Sequence, residues 1–134
     1  MKYYMLDTNI VSHLIKNHAN VVKQVVATPM TSLCISAITE GELLFGLAKR
    51  PEAKQLHRIV HELLLRIEIL PWNSTIAKTY GTLRSNIEAK GNLLAPLDLL
   101  IAAHALSTNT TLVTNDQAFT RVPDLLIEDW TKEL

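Results

Sequence analysis

With Cys34 as its only cysteine, the chain can form no internal disulfide, so packing has to hold it together. A reducing compartment fits, and within Leu33-Cys34-Ile35 the thiol reads as core packing. An excess of charge of either sign is also missing. Lys and Arg number 13, Asp and Glu number 13, and the isoelectric point is near 7.0. Bulk electrostatics therefore give no reason to bind nucleic acid, and an enzyme acting on one would need a local basic patch. No apolar run is long enough to span a bilayer, because Pro96, Asp98 and His104 interrupt the longest. Lys2 leads to Asp7 and Asn9 without an apolar core between them, so no secretory signal is expected there. Repeats, low-complexity tracts, linkers and a zinc-type Cys/His set are absent as well. A cytoplasmic protein that does not enter a membrane is expected.

What is present is apolar. Hydrophobic residues make up 48% of the 134 and mean hydropathy is +0.14. That is enough for one domain over residues 1–134 with a core of its own, and some of the excess can serve a partner surface. Tyr3 to Leu6 reads as a short buried strand ending at Asp7-Thr8-Asn9, three good helix-capping residues. Ile10, Val11, Leu14 and Ile15 follow at helical spacing, and a second helix runs from Val21 to Ala27. Leu33-Cys34-Ile35 is the second strand, and Ser36 caps a helix ending near Lys49-Arg50-Pro51. A helix from Glu52 to about Leu65, a strand at Glu68-Ile69-Leu70 and an amphipathic helix from Ser74 to Lys90 come next. Gly91 is placed as a left-handed cap. Pro96 opens a helix that is apolar almost all round, Thr110–Thr114 is a β-branched strand, and Pro123 to Ile127 is a last strand. Strands alternating with helices predict an α/β fold with a mainly parallel sheet of four to five short strands.

Ligands of such sheets bind beyond the carboxyl ends of the strands. Asp7 follows the first strand and Asp116 follows the Thr110–Thr114 strand. Glu42 lies in the second turn of the helix that follows the second strand, and Asp98 starts the apolar helix. Four acids can thus converge on one rim with no basic neighbour in sequence. Crowded carboxylates raise one another's pKa unless a hard cation offsets them, and Mg²⁺ with its waters suits that place. Metal-assisted phosphodiester hydrolysis is the chemistry such a site supports. Each acid also has a plainer reading. Asp7 and Asp116 can be helix caps, Glu42 a solvated helix residue, and Asp98 a carboxylate favoured by the helix dipole.

Several stretches together resemble the PIN-domain ribonucleases, and among them the VapC toxins of type II toxin–antitoxin systems. They are Met5-Leu6-Asp7-Thr8-Asn9, Ile35 through Leu43, and Arg84 through Gly91 leading to Pro96-Leu97-Asp98-Leu99-Leu100-Ile101-Ala102-Ala103-His104-Ala105, then Val113-Thr114-Asn115-Asp116. The resemblance implies a three-layer α/β/α PIN-like domain and makes Asp7 and Asp98 the principal Mg²⁺ ligands, with Mn²⁺ as a plausible substitute. Glu42 would complete the site directly or through water, with Glu40 its rival. Asp116 matches a fourth acidic position often held by Asn, and Thr8, Asn9, Thr114 and Asn115 would orient carboxylates or water. The resemblance further implies a VapB-like antitoxin, a toxin homodimer, and cleavage of RNA that inhibits translation. The enteric relatives it suggests cut initiator tRNA in its anticodon stem-loop.

RNA contacts could come from Lys49, Arg50, Lys54, Arg58, Arg84 and Lys90, although a solvated helix face explains most of them as well. His57 and His61 stand four apart without a third metal ligand, and His104 is expected to be packed and hydrogen-bonded. Trp72 and Trp130 are expected in the core or an interface. Leu63-Leu64-Leu65, with Leu43, Leu44, Phe45 and Leu47, predicts a dimer or antitoxin surface. Two other function classes compete with the nuclease. A phosphoryl-accepting or phosphatase domain would use Asp7, but it would want a second Asp or a late Lys where Asn9 and Asn115 stand. An inactive PIN-like scaffold that only binds protein would not need all four acids.

Overall fold

The computed structural model describes residues 2–133. Its five strands are β1 (Tyr4–Leu6), β2 (Leu33–Ser36), β3 (Glu68–Leu70), β4 (Thr111–Val113) and β5 (Ile127–Glu128). They form one sheet in the order β3-β2-β1-β4-β5, and every neighbouring pair is parallel. The helices are α1 (Thr8–Ile15), α2 (Ala19–Val26), α3 (Ala37–Ala48), α4 (Lys54–Arg66), α5 (Ser74–Ala89) and α6 (Pro96–Thr108).

Strand side chains alternate between two cores, as the period of two requires. Met5, Cys34 and Leu112 pack toward α5 and α6. Leu6, Leu33, Ile35 and Val113 pack toward α1, α2, α3 and α4. The sheet is therefore sandwiched, and the expected α/β/α layering is met. Chain order along the sheet reverses around β1 and β4, so a crevice opens beyond their carboxyl ends, where such folds place their ligands. Cys34 is buried, and that burial pushes its thiol up to about 12.

Three details differ from the sequence reading. The last strand is Ile127–Glu128, not Pro123 to Ile127, because Asp124 takes a φ of 66° and turns the chain first. Helix α4 starts at Lys54, after Pro51 to Ala53 have made a turn. Leu43 and Leu47 belong to the core, so the exposed apolar residues near them reduce to Leu44, Phe45 and Leu65. No helix of the described residues is long and apolar enough to cross a membrane.

Candidate active site

The carboxyl end of β1 delivers Asp7 into the crevice, 3% exposed. Its own N–H donates to Val113 O of β4 at 2.9 Å, which pins it between the two strands. Asp7 Oδ1 accepts the Thr8 N–H at 2.8 Å, so the residue does cap α1. Oδ2 accepts from the Thr114 hydroxyl, also at 2.8 Å. Thr114 Oγ1 in turn accepts the Asp116 N–H at 3.1 Å, and Asp116 Oδ1 accepts the Ala118 N–H at 2.9 Å, capping a 3-10 turn over Gln117–Arg121. One threonine thus orients two acids. Capping and ligation do not compete here, since an ionised carboxylate has about four lone-pair sites.

Glu42 reaches the same place from α3. Its Oε1 accepts from the Thr8 hydroxyl at 2.6 Å, and Thr39 Oγ1 lies 3.2 Å from that hydroxyl. Glu40, two residues earlier on α3, makes no hydrogen bond to any of the acids. Asp98 sits in the first turn of α6, where the dipole favours negative charge, and is partly buried. Asn9 and Asn115 are exposed at the rim and bond none of the acids, and Asn115 Nδ2 lies 3.4 Å from His13 Nε2.

Electrostatics show that the four acids feel one another. Burial raises the Asp7 pKa, the bonds from Thr114 and Thr8 oppose that, and the charges of Glu42 and Asp116 raise it further. Asp98 is pushed up to about 6, by burial first and then by Asp7, Asp116 and Glu42. Among the described residues no ion pair involves any of the four. Nor do any three Asp, Glu, His or Cys residues stand close enough to grip an ion unaided. An open set of hard oxygens suits a cation that keeps much of its water, and not a closed cage.

Residues 4–125 match the family model described as the PIN domain. The chain belongs to the PIN-domain family. Among its relatives is ribonuclease VapC2 of Rickettsia felis, 36% identical over 132 residues, which span 96% of this chain and 98% of that one. Another is the tRNA(fMet)-specific endonuclease VapC of Salmonella typhimurium, 34% identical over 131 residues, which span 97% and 99%. In three dimensions the chain is similar to a chain in the crystal structure of DNA-bound VapBC from Salmonella typhimurium. The TM-score is 0.90 at 33% identity, covering 97% of this chain and 99% of that one. At that identity and coverage, this PIN domain is a member of the VapC family.

Thr39 and His13 in this PIN domain escaped the sequence reading, as did the bond that joins Ser36, the expected cap, to His104, the expected packed histidine. Thr39, fully buried, stands one helical turn before Glu42, a spacing that puts both on one face and could have signalled it. Ser36 Oγ accepts the Ile38 N–H at 3.0 Å and lies 2.7 Å from His104 Nδ1, which ties the start of the Glu42 helix to the Asp98 helix. His104 is buried, its Nε2 has no partner, and burial lowers its pKa to about 4. His13 approaches the rim through Asn115, one turn beyond Asn9. Of the remaining sequence candidates, Lys49 and Arg50 line one cavity with Thr8 and Glu42, and the others named here bond none of the four acids. His57 Nε2 is 2.9 Å from Arg50 O, and the His57 and His61 rings are 6.3 Å apart with no third ligand among the described residues. Trp72 Nε1 donates to Leu100 O at 3.1 Å, and Trp130 is buried against Tyr4. Arg84 is held by Glu88 at 2.7 Å and by the Tyr80 hydroxyl at 2.9 Å.

Proposed function

We propose that this PIN domain is a divalent-metal-dependent endoribonuclease, the toxin of a pair completed by a VapB-like antitoxin. The observation that carries the reading is geometric: Thr114 bonds both Asp7 and Asp116, Thr8 bonds both Asp7 and Glu42, and no cation of the described residues is paired with these acids or with Asp98. Self-repulsion of that kind destabilises a fold, and it is retained where a hard cation offsets it. The donor set fits Mg²⁺, with Mn²⁺ as a substitute, since every candidate ligand is a carboxylate oxygen. Asp7 and Asp98 would hold the ion, Glu42 would join directly or through water, and Asp116 is the fourth acid. When bound, such an ion supplies a water of lowered pKa and neutralises charge at the scissile phosphate.

The protein's own groups do the positioning. Thr114 and the Thr8 N–H fix both oxygens of Asp7, while the Thr8 hydroxyl turns Glu42 toward the same space. Asn9, exposed at the rim, is placed to meet the substrate backbone, and Asn115 stands there too, against His13.

The substrate we propose is RNA, and within RNA a tRNA. The Salmonella relative carries tRNA(fMet) in its name, and the anticodon stem-loop of initiator tRNA is the target that the resemblance suggests. A loop of unstacked bases is also what a small, overall neutral protein can read by shape. Cleavage there would inhibit translation in the cytoplasm. The VapBC complex with this fold supports an antitoxin partner, and the exposed Leu44, Phe45 and Leu65 suit a homodimer or antitoxin contact.

Incubation with total bacterial RNA and Mg²⁺, beside an Asp7→Ala variant and an EDTA control, tests the reading. Discrete tRNA fragments from the unaltered protein alone are expected. Equal cleavage in all three lanes, or none in any, would overturn it.

A further inference from the structure

Three of the four acids share one hydrogen-bonded network. Thr114 holds Asp7 and Asp116, and Thr8 holds Asp7 and Glu42. Asp98 stands outside it, since among the described residues its carboxylate accepts no hydrogen bond. Its place is therefore set by how α6 as a whole is seated. Apolar contacts are non-directional, and α6 has few directional ones to distant segments. Trp72 Nε1 donates to Leu100 O at 3.1 Å from the segment after β3, and His104 Nδ1 lies 2.7 Å from Ser36 Oγ. Only the second reaches α3, the helix of Glu42, because Ser36 caps that helix.

We infer that His104 is a positioning residue of the acidic site: through Ser36 it sets the spacing of α6 from α3, and so places Asp98 against the acids that Thr8 and Thr114 hold. The inference rests on the metal-dependent reading of those acids. Three observations carry it. Ser36 Oγ accepts the Ile38 N–H at 3.0 Å, so its own proton is left to give, and Nδ1 is the acceptor in reach among the described residues. The ring proton then sits on Nε2, which has no partner. Packing does not explain such a ring, because a leucine would suit this apolar helix without burying an unpartnered N–H. Both residues are fully buried, so the pair cannot meet a substrate as nucleophile and base. What is left to the bond is geometry. His104 stands about 9 Å along α6 from Asp98, and a stiff helix carries a shift at one residue to the other. Mg²⁺ demands oxygens at about 2.0–2.1 Å, which leaves little room for a displaced carboxylate.

The test is the Mn²⁺ affinity of the full chain by calorimetry, read beside its melting temperature. His104→Leu breaks the bond and keeps the bulk. It should weaken Mn²⁺ binding about tenfold, the low end for groups that orient metal ligands, while the melting temperature holds or rises. His104→Asn puts an amide oxygen where Nδ1 stood and gives up bulk. It should bind Mn²⁺ more tightly than His104→Leu and melt lower. A merely structural role would rank the two variants alike in both measurements, and that ranking would overturn the inference. Ser36→Ala breaks the same bond from the other side. It should weaken Mn²⁺ binding in the parent and add little in the His104→Leu chain, so additive losses would also overturn the inference. In RNA cleavage His104→Leu should lower kcat at limiting Mn²⁺ and leave KM for RNA unchanged. Equal Mn²⁺ affinity of His104→Leu and its parent would overturn the inference alone and leave the metal reading standing. A parent that binds no Mn²⁺ would refute the metal reading, and the positioning role with it.

Discussion

Replacing Asp98 by Asn should make this protein more stable at neutral pH while abolishing its activity. Asp98 holds its proton up to about 6, against 3.8 for a free carboxyl. A folded-state pKa above the unfolded one means that the native form binds the proton more tightly. Its penalty is therefore absent well below pH 4, develops between about 4 and 6, and is complete above 6. The two values differ by about two pH units, and at 1.36 kcal/mol for each the ceiling is ~3 kcal/mol. Asp98 is only partly buried, so solvent screening cuts that figure by more than half. The lost helix-dipole benefit of ~0.3–1 kcal/mol is recovered by neither state. A net gain of about 1 kcal/mol remains, or roughly 3–5 °C in melting temperature for a chain of this size. Thermal unfolding by circular dichroism in EDTA at pH 7.5 and pH 4 is the assay. The expected result is a higher melting temperature for Asp98→Asn at pH 7.5 and no gain at pH 4. An Asp98→Asn protein no more stable than its parent at pH 7.5 would refute the reasoning, because the charge would then be compensated already.

Other outcomes follow from the same geometry. Thr114→Val and Thr8→Val each remove a hydroxyl that holds a candidate ligand, and each should weaken Mn²⁺ affinity about 10–100-fold by calorimetry. His104, with its pKa lowered to about 4, should cost the native state stability as pH falls from about 6.5 toward 4. His104→Leu should remove that loss, read as a flatter urea midpoint across the window. Because Asp98 titrates in the opposite sense there, the comparison belongs in an Asp98→Asn background. Phe45→Asp or Leu65→Asp should weaken self-association in light scattering without lowering the melting temperature, since both side chains are exposed.

Much of the architecture was legible because hydrophobic period and punctuation agreed. The strand at Glu68–Leu70 was bounded by Pro71, and Ser36 marked the start of α3 by capping it. Gly91 took the expected positive φ of 71°. The last strand was misplaced because Leu125 and Leu126 continue an apolar pattern through a segment that Asp124 bends. At the candidate site, strand ends were enough to put Asp7 and Asp116 on one rim, while Glu42 and Asp98 were placed by the helices that carry them. What could not be read were the bonds between distant segments. Thr114 and Asp7 are 107 residues apart, His104 and Ser36 68 apart, and Thr8 and Glu42 34 apart. Hydroxyl donors of this kind leave no periodic trace, and their partners are set by sheet order alone.

The most direct test of the account is a calorimetric titration of Mn²⁺ into the purified protein, beside Asp7→Asn and Asp98→Asn. Saturable binding to the unaltered chain that both substitutions abolish is the predicted result. No binding to the unaltered chain, or binding that survives both changes, would contradict the claim that these acids are a metal site.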